Sequence, residues 1–380
     1  IFSYKKMIIT HIVSSLDSNQ GGPPNVVLNF AEFQSKNGHN VNIVSQYSKI
    51  KHKNFNNLKN INLEKGNFLF KKHYIPNLNF IFKIYNNIKK SDIVHLHGVW
   101  NGVISVSSLI SRILNKKVIM TPHGSLDSYN LNNKYLFKKI FYHFFEKFNL
   151  NYIQSFHFLN SNEYKNSFWV KNIKKKNILI QSNGYDLNYL KKIRIKKKTN
   201  KNKIEITYIG RLNKIKNIEL QLDLLKYLLK HKNNYKLNII GPDDGILDKL
   251  KKKAQELKLK KNVSFIKPIY GKEKYSIIKN SDIMILTSFY ECNSILAIET
   301  MAIGGVLLCT RNCNLSHAGK YGAVKISDYK LKKLAKSVNY LSNQKNSNII
   351  RKKSLKYAKE NLDIEINMKK IQKFYNKIKN

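Results

Sequence analysis

Short apolar runs alternate with amphipathic stretches along the whole chain. The runs are rich in Ile, Val and Leu, as expected of strands buried on both faces of a parallel sheet, and apolar residues recur at helical spacing between them. The predicted strands are 7–15, 41–46, 92–97, 117–122, 157–161 and 177–184 in the first half, and 203–211, 236–241, 262–267, 282–288 and 305–310 in the second. This alternation predicts an α/β fold made of two Rossmann-like, doubly wound domains.

A strongly basic segment separates the two series of βα units. Eight of the thirteen residues at 191–203 are Lys or Arg, and none of its apolar residues is periodic, which is typical of a solvated linker. The sequence therefore predicts an N-terminal domain at 1–190, a linker at 191–203 and a C-terminal domain at 204–360. We expect a helix at 361–380 to pack back on the first domain. Ligands of doubly wound sheets bind outside the carboxyl ends of the strands, so we expect a ligand in a central cleft that both domains face.

Composition adds a large positive charge to this picture. The 380 residues include 69 Lys plus Arg against 23 Asp plus Glu, a formal net charge of +46. Such a charge suits nucleic acid, but five of the 69 are Arg, which leaves 64 Lys, and base-reading proteins favour Arg. We interpret the lysines as a compositional bias that an anionic membrane surface could use, and no nucleic-acid partner is expected. Three cysteines without CxxC spacing, and a start without a signal-peptide core, suit a cytoplasmic protein.

Two carboxylates stand close together at SFYECNSILAIETMAIGG, residues 288–305. Glu291 precedes a predicted helix that Asn293 or Ser294 can cap, and Glu299 lies inside that helix. The two are about 12 Å apart along a helix axis, too far to share a proton. The amides of Asn293, Ser294 and Ile295 form a helix N-terminus, which can bind phosphate. Acceptors on both sides of a phosphate site suit the hydroxyls of a sugar nucleotide.

The cations for a diphosphate are expected in YIGRLNKIKN, residues 208–217. Gly210 ends a predicted strand, Arg211 follows it, and Lys216 lies near the start of the next helix. Fixed positive charge both holds a diphosphate and stabilises it as a leaving group. Arg211 is the more informative of the two, because the chain has few arginines and this one directly follows a strand-end glycine.

These segments together resemble the retaining glycosyltransferases of family 4, which have the GT-B fold, and especially bacterial enzymes of surface-polysaccharide assembly. The resemblance rests on GRLNKIKN, GPDDG at 241–245, PIYGKEK at 268–274, the Glu291–Glu299 pair and MAIGG in the second half. In the first half it rests on the Gly21–Gly22 turn, HGVW at 97–100, TPHGSLDSYNL at 121–131 and SNGYD at 182–186.

The resemblance implies a role for each of these residues. Glu299 would bind the donor ribose, Glu291 the transferred sugar, and Arg211 and Lys216 the diphosphate, with the amides near Ser294 assisting. His123 would face the sugar and the acceptor, and Gly22 would let a loop approach the phosphates. The family usually works without a metal cofactor, by front-face attack in which the departing phosphate takes the acceptor proton.

The implied reaction moves a sugar from a UDP- or GDP-sugar to a hydroxyl of a growing, lipid-linked glycan of a capsule, O-antigen or exopolysaccharide. A sugar-nucleotide 2-epimerase has the same architecture and stays an alternative; a basic nucleic-acid-binding protein is a weaker one. Ser294, Lys267 and Val306 replace residues common in the family, which leaves the identity of the donor open.

Two further patterns have alternative interpretations. His95 and His97 alternate on a predicted strand as metal ligands can, but no third ligand has convincing spacing, so we expect no metal site and place His97 in the cleft wall. Aromatic residues recur at helical spacing among lysines at 133–150. Such a helix packs on the first sheet or lies on a membrane surface as a peripheral anchor, and both interpretations can hold for different faces of it.

Overall fold

The computed structural model describes residues 6–17, 22–47, 60–132, 135–167, 169–170, 172–191, 203–231 and 234–379. The chain forms two compact units. One comprises Ile1–Asn183 together with Asn367–Asn380, and the other comprises Gly184–Ile366. The sequence-based boundaries were 190, 203 and 360. Apart from its two end residues, the predicted linker at 191–203 lies outside the described residues.

The first unit is built on a parallel sheet. Its strands are Ile8–Ser15 (β1), Asn40–Gln46 (β2), Ile61–Lys65 (β3), Phe68–Phe70 (β4), Ile75–Pro76 (β5), Ile93–His97 (β6), Lys117–Thr121 (β7), Ser155–Phe158 (β8) and Asn177–Ile180 (β9). Over the described residues, seven of them form one sheet in the order β3-β2-β1-β6-β7-β8-β9, while β4 and β5 make a separate antiparallel pair. The order reverses at β1, between β2 and β6, which makes this the topological switch point of the sheet.

Helices cover this sheet. They are Gly22–Lys36 (α1), Leu78–Lys90 (α2), Gly102–Ile113 (α3), Ser128–Asn132 (α4), Tyr135–Phe141 (α5), Lys147–Tyr152 (α6) and Ser161–Asn166 (α7). Asparagine side chains cap three of them: Asn77, Asn101 and Asn160 accept hydrogen bonds from backbone amides of the first turn at 2.8, 3.1 and 2.9 Å. The central strand β6 is buried at every position although two of its five residues are histidines.

The aromatic segment predicted as one helix at 133–150 is interrupted. Residues 133–134 lie outside the described part, α5 leads into a π-helical turn at Tyr142–Glu146, and α6 follows. The side facing the protein carries Tyr142, Glu146 and Leu150, whereas the aromatic stripe faces outward. Its exposed members are Phe137, Ile140, Phe144, Phe145 and Phe148, each 53–70% exposed. One face of the segment therefore packs within the first unit, as one interpretation predicts, while the aromatic stripe is exposed. The membrane interpretation of the exposed face stays a prediction.

The second unit contains the strands Ile204–Ile209 (β10), Tyr235–Ile240 (β11), Val263–Ile266 (β12), Ile283–Leu286 (β13), Leu307–Thr310 (β14) and Lys325–Ser327 (β15). They form one parallel sheet in the order β12-β11-β10-β13-β14-β15, with its switch point at β10. The helices are Leu187–Lys191 (α8), Ile218–Leu229 (α9), Leu247–Glu256 (α10), Gly271–Asn280 (α11), Ile295–Ala302 (α12), Ser316–Tyr321 (α13), Leu331–Ser342 (α14) and Gln344–Asn361 (α15). The predicted α/β class with two doubly wound sheets is confirmed.

The last helix, Ile364–Lys379 (α16), crosses the boundary between the units, and its residues from Asn367 onward belong to the first. The Lys379 ammonium lies 3.1 Å from Asp92, next to β6, and the buried Tyr375 hydroxyl contacts His95 on that strand. Among the described helices, none combines the length and the apolar content that crossing a membrane requires.

Candidate active site

The loops after β10 and β13 meet at the switch point of the second sheet. Lys216 ends a short 3-10 turn in the first loop, and its Nζ lies 2.6 Å from Oε1 of Glu291 in the second. The backbone joins the same loops, because the Phe289 amide donates to the Ile215 carbonyl at 2.8 Å. This ion pair is mostly buried, with side-chain exposures of 18% for Lys216 and 9% for Glu291. A cation and a carboxylate are thus fixed side by side where doubly wound sheets bind ligands.

Glu291 is held at both its side chain and its backbone. The Ser288 hydroxyl donates to the same Oε1 atom at 2.6 Å. The Glu291 amide donates to the Asn312 carbonyl at 3.1 Å, and the Glu291 carbonyl accepts from the Asn314 side chain at 2.7 Å. The carboxylate is therefore rigidly placed, and its lone pairs outnumber the two donors at Oε1, so it has capacity for a further donor.

The predicted helix N-terminus lies directly beyond this loop. Ser294 is the N-cap of α12, and its hydroxyl accepts from the Ala297 amide at 3.3 Å, so Ser294 rather than Asn293 supplies the cap. Ile295 is the first residue of the helix and is 39% exposed. Backbone amides at this end of an eight-residue helix provide donors for an anion.

Glu299 lies inside α12 and has its own partners. Its side chain accepts from the Tyr185 hydroxyl at 2.9 Å and lies 2.5 Å from Lys274 Nζ. The Tyr185 and Tyr275 hydroxyls are 2.6 Å apart, which extends the cluster. Burial, followed by the charge of Glu299, raises the pKa of Tyr185, so its hydroxyl keeps its proton and donates. The two glutamates are thus separate acceptors, each with its own lysine.

Arg211 is exposed and does not join the Lys216–Glu291 pair. Its Nη1 lies 3.0 Å from Oδ2 of Asp244, which also accepts from Asn213 at 2.9 Å. An exposed pair of this kind is worth about 0–1 kcal/mol. Arg211 can therefore exchange Asp244 for another anion at little cost.

Gly210 and Gly241 let the ends of β10 and β11 approach each other. A Cβ on Gly210 would lie 2.6 Å from the Tyr208 hydroxyl, and one on Gly241 would lie 1.8 Å from the Gly210 carbonyl oxygen. Gly241 also has φ +152. Only glycine fits at Gly241, where two backbones meet. Gly210 has a structural role besides any contact with a ligand, because a side chain there would displace the Tyr208 hydroxyl.

In the first unit, the predicted glycine turn is only partly described. Gly22 is the first residue of α1, and Gly21 lies outside the described residues. His123 follows β7 and has φ +52, a left-handed conformation that is uncommon for a residue with a side chain. The loop is held by the Gly124 amide, which donates to the buried carboxylate of Glu163. Residues held in such conformations cluster at functional sites.

His123 is a neutral imidazole. Burial, with a smaller effect of the His157 ring, lowers its pKa to about 3. Its Nε2 lies 3.1 Å from Nδ1 of His97, at the end of β6. His123 can therefore donate from one ring nitrogen and accept at the other, and it carries no charge at neutral pH.

The structure adds a third histidine to His95 and His97. His11 pairs with His95 across β1 and β6, and one possible ligand atom from each of the three rings lies within 4.8 Å of the others. Sequence spacing offered no such third ligand, because His11 is brought there only by strand pairing. The rings are hydrogen-bonded instead: His11 to His97 at 2.9 Å, and His95 to Thr121 at 2.7 Å.

Several residues of the site had not been expected from the sequence: Tyr185, Lys274 and Asp244 in the second unit, and His11, Gln34 and Glu163 in the first. Lys274 lies within the PIYGKEK segment, which was the available signal. Nothing in the sequence distinguishes it from the many other lysines.

Two glycosyltransferase family models match the two halves of the chain. The family model described as "Glycosyl transferases group 1" matches residues 191–361, and the one described as "Glycosyltransferase Family 4" matches residues 20–189. Comparison with curated protein sequences finds no match.

Solved structures of glycosyltransferases have the same fold. A glycosyltransferase from Rickettsia africae ESF-5 superposes with a TM-score of 0.74 at 17% identity, covering 99% of each chain. Anabaena Alr3699/HepE, solved in complex with UDP-glucose, gives 0.71 at 15% identity, covering 98% of this chain and 100% of its own. WaaG, a glycosyltransferase involved in lipopolysaccharide biosynthesis, gives 0.69 at 14% identity, covering 96% and 98%.

Proposed function

The chain belongs to the GT-B glycosyltransferases of the family 4 type, and from that premise we propose that it is a retaining enzyme of surface-glycan assembly. It moves a sugar from a UDP- or GDP-sugar to a hydroxyl of a growing, lipid-linked glycan. One observation carries the proposal: the Lys216–Glu291 ion pair at the carboxyl ends of β10 and β13, next to the N-terminus of α12.

The chemistry of that pair fits a sugar diphosphate. Lys216 has three N–H donors and uses one on Glu291, so it can bind a phosphate oxygen without leaving its partner. The amides at the start of α12 donate to the same anion. Glu291 accepts from hydroxyls of the transferred sugar, and Glu299, one turn inside α12, accepts from the ribose.

Arg211 and Lys216 together stabilise the leaving diphosphate. The bond between the anomeric carbon and the phosphate oxygen breaks as negative charge builds up on the diphosphate, and fixed cations lower the energy of that state. Arg211 exchanges its exposed contact with Asp244 for phosphate. The acceptor hydroxyl forms the new bond on the face that the phosphate leaves, and its proton passes to the departing phosphate, which retains the anomeric configuration.

A thermal-shift screen against UDP-, GDP- and ADP-sugars tests the donor class, because a ligand that binds only the folded protein raises its Tm. At a ligand concentration of 100 Kd, the stabilisation is about 2.7 kcal/mol. Alr3699/HepE was solved with UDP-glucose, which makes UDP-sugars the first candidates. We expect one nucleotide class to raise Tm and the other two to leave it unchanged.

The reaction is tested by nucleotide release with lipid-linked oligosaccharide acceptors, followed by NMR of the product's anomeric proton. A retaining mechanism predicts that the anomeric carbon of the transferred sugar has the same configuration in the product as in the donor. An inverted product would refute the retaining mechanism. A sugar that changes at C2 in the absence of acceptor identifies an epimerase, and binding to nucleic acid without affinity for any sugar nucleotide would refute the enzymatic proposal altogether.

We also infer that the first unit lies on an anionic membrane surface, through the exposed stripe of α5, the π-helical turn and α6. Phe144 is 70% exposed and Phe145 is 58% exposed, and exposed Lys139 lies on the same segment. Aromatic rings beside lysines suit a lipid headgroup region, and each cation near an anionic surface adds about 1 kcal/mol. A lipid-linked acceptor places the reaction at such a surface.

We expect the double replacement of Phe144 and Phe145 by Ser to lower binding to vesicles of phosphatidylglycerol and phosphatidylcholine by about tenfold or more. Each aromatic side chain that enters the membrane surface contributes a few kcal/mol to binding. Co-sedimentation at several salt concentrations measures this. Ile349→Ser, which removes a similarly exposed apolar side chain on α15, is the matched control. Equal binding of the three proteins would contradict the inference.

A further inference from the structure

A row of buried side chains in the first unit ends at His123. Gln34 on α1 accepts from His11 on β1, with 2.7 Å between Oε1 and Nε2. His11 Nδ1 lies 2.9 Å from His97 Nε2, and His97 Nδ1 lies 3.1 Å from His123 Nε2. Gln34, His11 and His97 are each at most 2% exposed. Three imidazoles are therefore connected in series, through both nitrogens of the two inner rings.

Each ring in this row carries a single proton at neutral pH. Burial lowers the pKa of His11 to about 4, and burial together with the surrounding imidazoles lowers the pKa of His97 well below its ordinary value. A neutral imidazole donates from one nitrogen and accepts at the other. In a series of such rings all the bonds run in one direction, because each ring that accepts at one nitrogen must donate from the other.

A second row fixes a direction from an unambiguous acceptor. The Gln181 backbone carbonyl can only accept, so His157 Nε2, at 2.7 Å, carries a proton. His157 Nδ1 then accepts from the Thr121 hydroxyl at 3.1 Å, and Thr121 accepts from His95 Nε2 at 2.7 Å. His95 Nδ1 is left to accept from the Tyr375 hydroxyl, which therefore acts as a donor.

Gln34 lies near members of both rows, His11 and Tyr375. Burial raises the pKa of Tyr375, and a contact from the Gln34 side chain acts in the opposite direction, as a donor to the phenol oxygen does. This contact falls short of a well-formed hydrogen bond, since Gln34 Nε2 has no partner of good geometry among the described residues. When the side-chain amide nitrogen of Gln34 points toward Tyr375, its amide oxygen points toward His11. The direction of the row through His11, His97 and His123 therefore rests on the Gln34 amide oxygen, which lies 2.7 Å from His11 Nε2.

We propose that Gln34, His11 and His97 are positioning residues that fix the tautomer of His123, with the proton on Nε2 and the lone pair on Nδ1. Along the row, His11 donates a hydrogen bond to Gln34, His97 donates to His11, and His123 donates to His97. Nδ1 of His123 is then an acceptor. That it accepts from a sugar or acceptor hydroxyl rests on the proposed function; the tautomer itself does not.

The direction of the row matters because it decides whether His123 accepts or donates at Nδ1. Turning the Gln34 amide over would present Nε2 to His11 and reverse every bond in the row. His123 would then carry its proton on Nδ1, where it could donate to a hydroxyl oxygen but could no longer accept a hydroxyl hydrogen. The orientation of the Gln34 amide on α1 thus sets the tautomer of His123 through the rings of His11 and His97.

A metal ion held by His11, His95 and His97 is the alternative reading of the same rings. A ring nitrogen that binds an ion must offer it a lone pair, so metal binding would break hydrogen bonds that these rings make. In the two hydrogen-bonded rows, both ring nitrogens of His11, His95 and His97 have partners, and the donors and acceptors are consistent. The observations therefore favour the row.

The test is a long-range ¹H–¹⁵N correlation spectrum of the histidine rings in the full-length protein at pH 7. We expect wild-type His123 to be protonated at Nε2. His97→Leu removes the acceptor, and the spectrum should then show a mixture that includes the Nδ1-protonated form. His97→Gln supplies a new acceptor oxygen and should restore the wild-type tautomer. His39→Phe, which removes another buried histidine of the same unit, should leave His123 unchanged.

Activity gives an independent second measurement. We expect kcat/KM to fall roughly 10- to 100-fold in His97→Leu, as when the outer partner of a functional histidine is removed, and to recover largely in His97→Gln. If wild-type His123 carries its proton on Nδ1, or if His97→Leu leaves the tautomer unchanged, the proposal is wrong. Stoichiometric zinc in the purified protein, with altered signals from all three rings, would also overturn it. The expected tautomers in a protein that turns over no sugar nucleotide would refute the proposed function and leave the row intact.

Discussion

Changing Lys216 to Met lowers kcat/KM by about 10³-fold in the proposed reaction, and changing Glu291 to Gln lowers it by about 10²- to 10³-fold, the range for removing one fixed group that stabilises developing charge. The two residues are 2.6 Å apart, so each change also alters the environment of the other. Removing one member leaves a mostly buried charge without its partner. A loss of stability of about 1–3 kcal/mol is expected from that effect.

The double variant separates the two roles. If Lys216 only holds Glu291 in place, the double variant should have the same kcat/KM as the Glu291 variant, because Lys216 has no other role to lose. If Lys216 binds the diphosphate while Glu291 binds the sugar, the losses multiply. We expect the second result, since Glu291 is also held by Ser288 and by its backbone bonds.

The matched control is Lys214→Met, in the same 3-10 turn as Lys216 but exposed. Lys214→Met and Lys216→Met each remove one positive charge from the same loop. A difference in kcat/KM between them therefore does not come from the change in net charge. Steady-state kinetics with the donor identified by thermal shift measures kcat and KM separately. Wild-type kcat/KM in Lys216→Met would rule out a role for Lys216 at the diphosphate.

The alternation of apolar runs and amphipathic stretches is sufficient to predict both sheets, because buried parallel strands need continuous apolar residues. The missed strands lack that feature. β3 is only half-buried at the edge of its sheet, and β15 has three residues. Their pairing comes from neighbouring strands rather than from their own composition, so local pattern cannot reveal them.

At the site, the sequence predicts what is local. Glu291 in a loop, Ser294 at the helix start and Glu299 inside the helix follow from eighteen consecutive residues. Partners across the fold do not follow. Lys274 reaches Glu299 from another helix, and His11 reaches His97 only because β1 and β6 are neighbours. Such contacts depend on sheet order and register, which a single sequence leaves undetermined.

The second large effect is the loss of the first unit's stability in acid. Burial lowers the pKa of His11 and of His157 to about 4, and that of His123 to about 3. In the unfolded chain these rings titrate near pH 6.5. Below that pH the unfolded state binds more protons than the folded state, so the free energy of unfolding decreases as the pH falls from 6.5 toward 4 and is constant above about 7.

Each fully shifted histidine contributes about 3 kcal/mol to this loss at most, since one pKa unit corresponds to about 1.4 kcal/mol. The rings interact, so the contributions do not simply add. Glu146 acts in the opposite direction. Burial raises its pKa to about 7, so in the window from 4.5 to 7 the folded state holds a proton that the unfolded state releases. One glutamate does not outweigh the histidines, and most of a net stability of about 5–15 kcal/mol is expected to be lost by pH 4.

Tryptophan fluorescence isolates this transition, because Trp100 and Trp169, the two tryptophans of the chain, both lie in the first unit. Urea unfolding followed by fluorescence should shift to lower midpoints between pH 6.5 and 4.5. His157→Gln, which keeps a polar side chain but cannot take up a proton, should weaken the pH dependence by as much as about 3 kcal/mol. A fluorescence midpoint that stays constant from pH 7 to pH 4.5 would mean that the buried rings take up protons equally well in the folded and the unfolded protein, which would contradict this prediction.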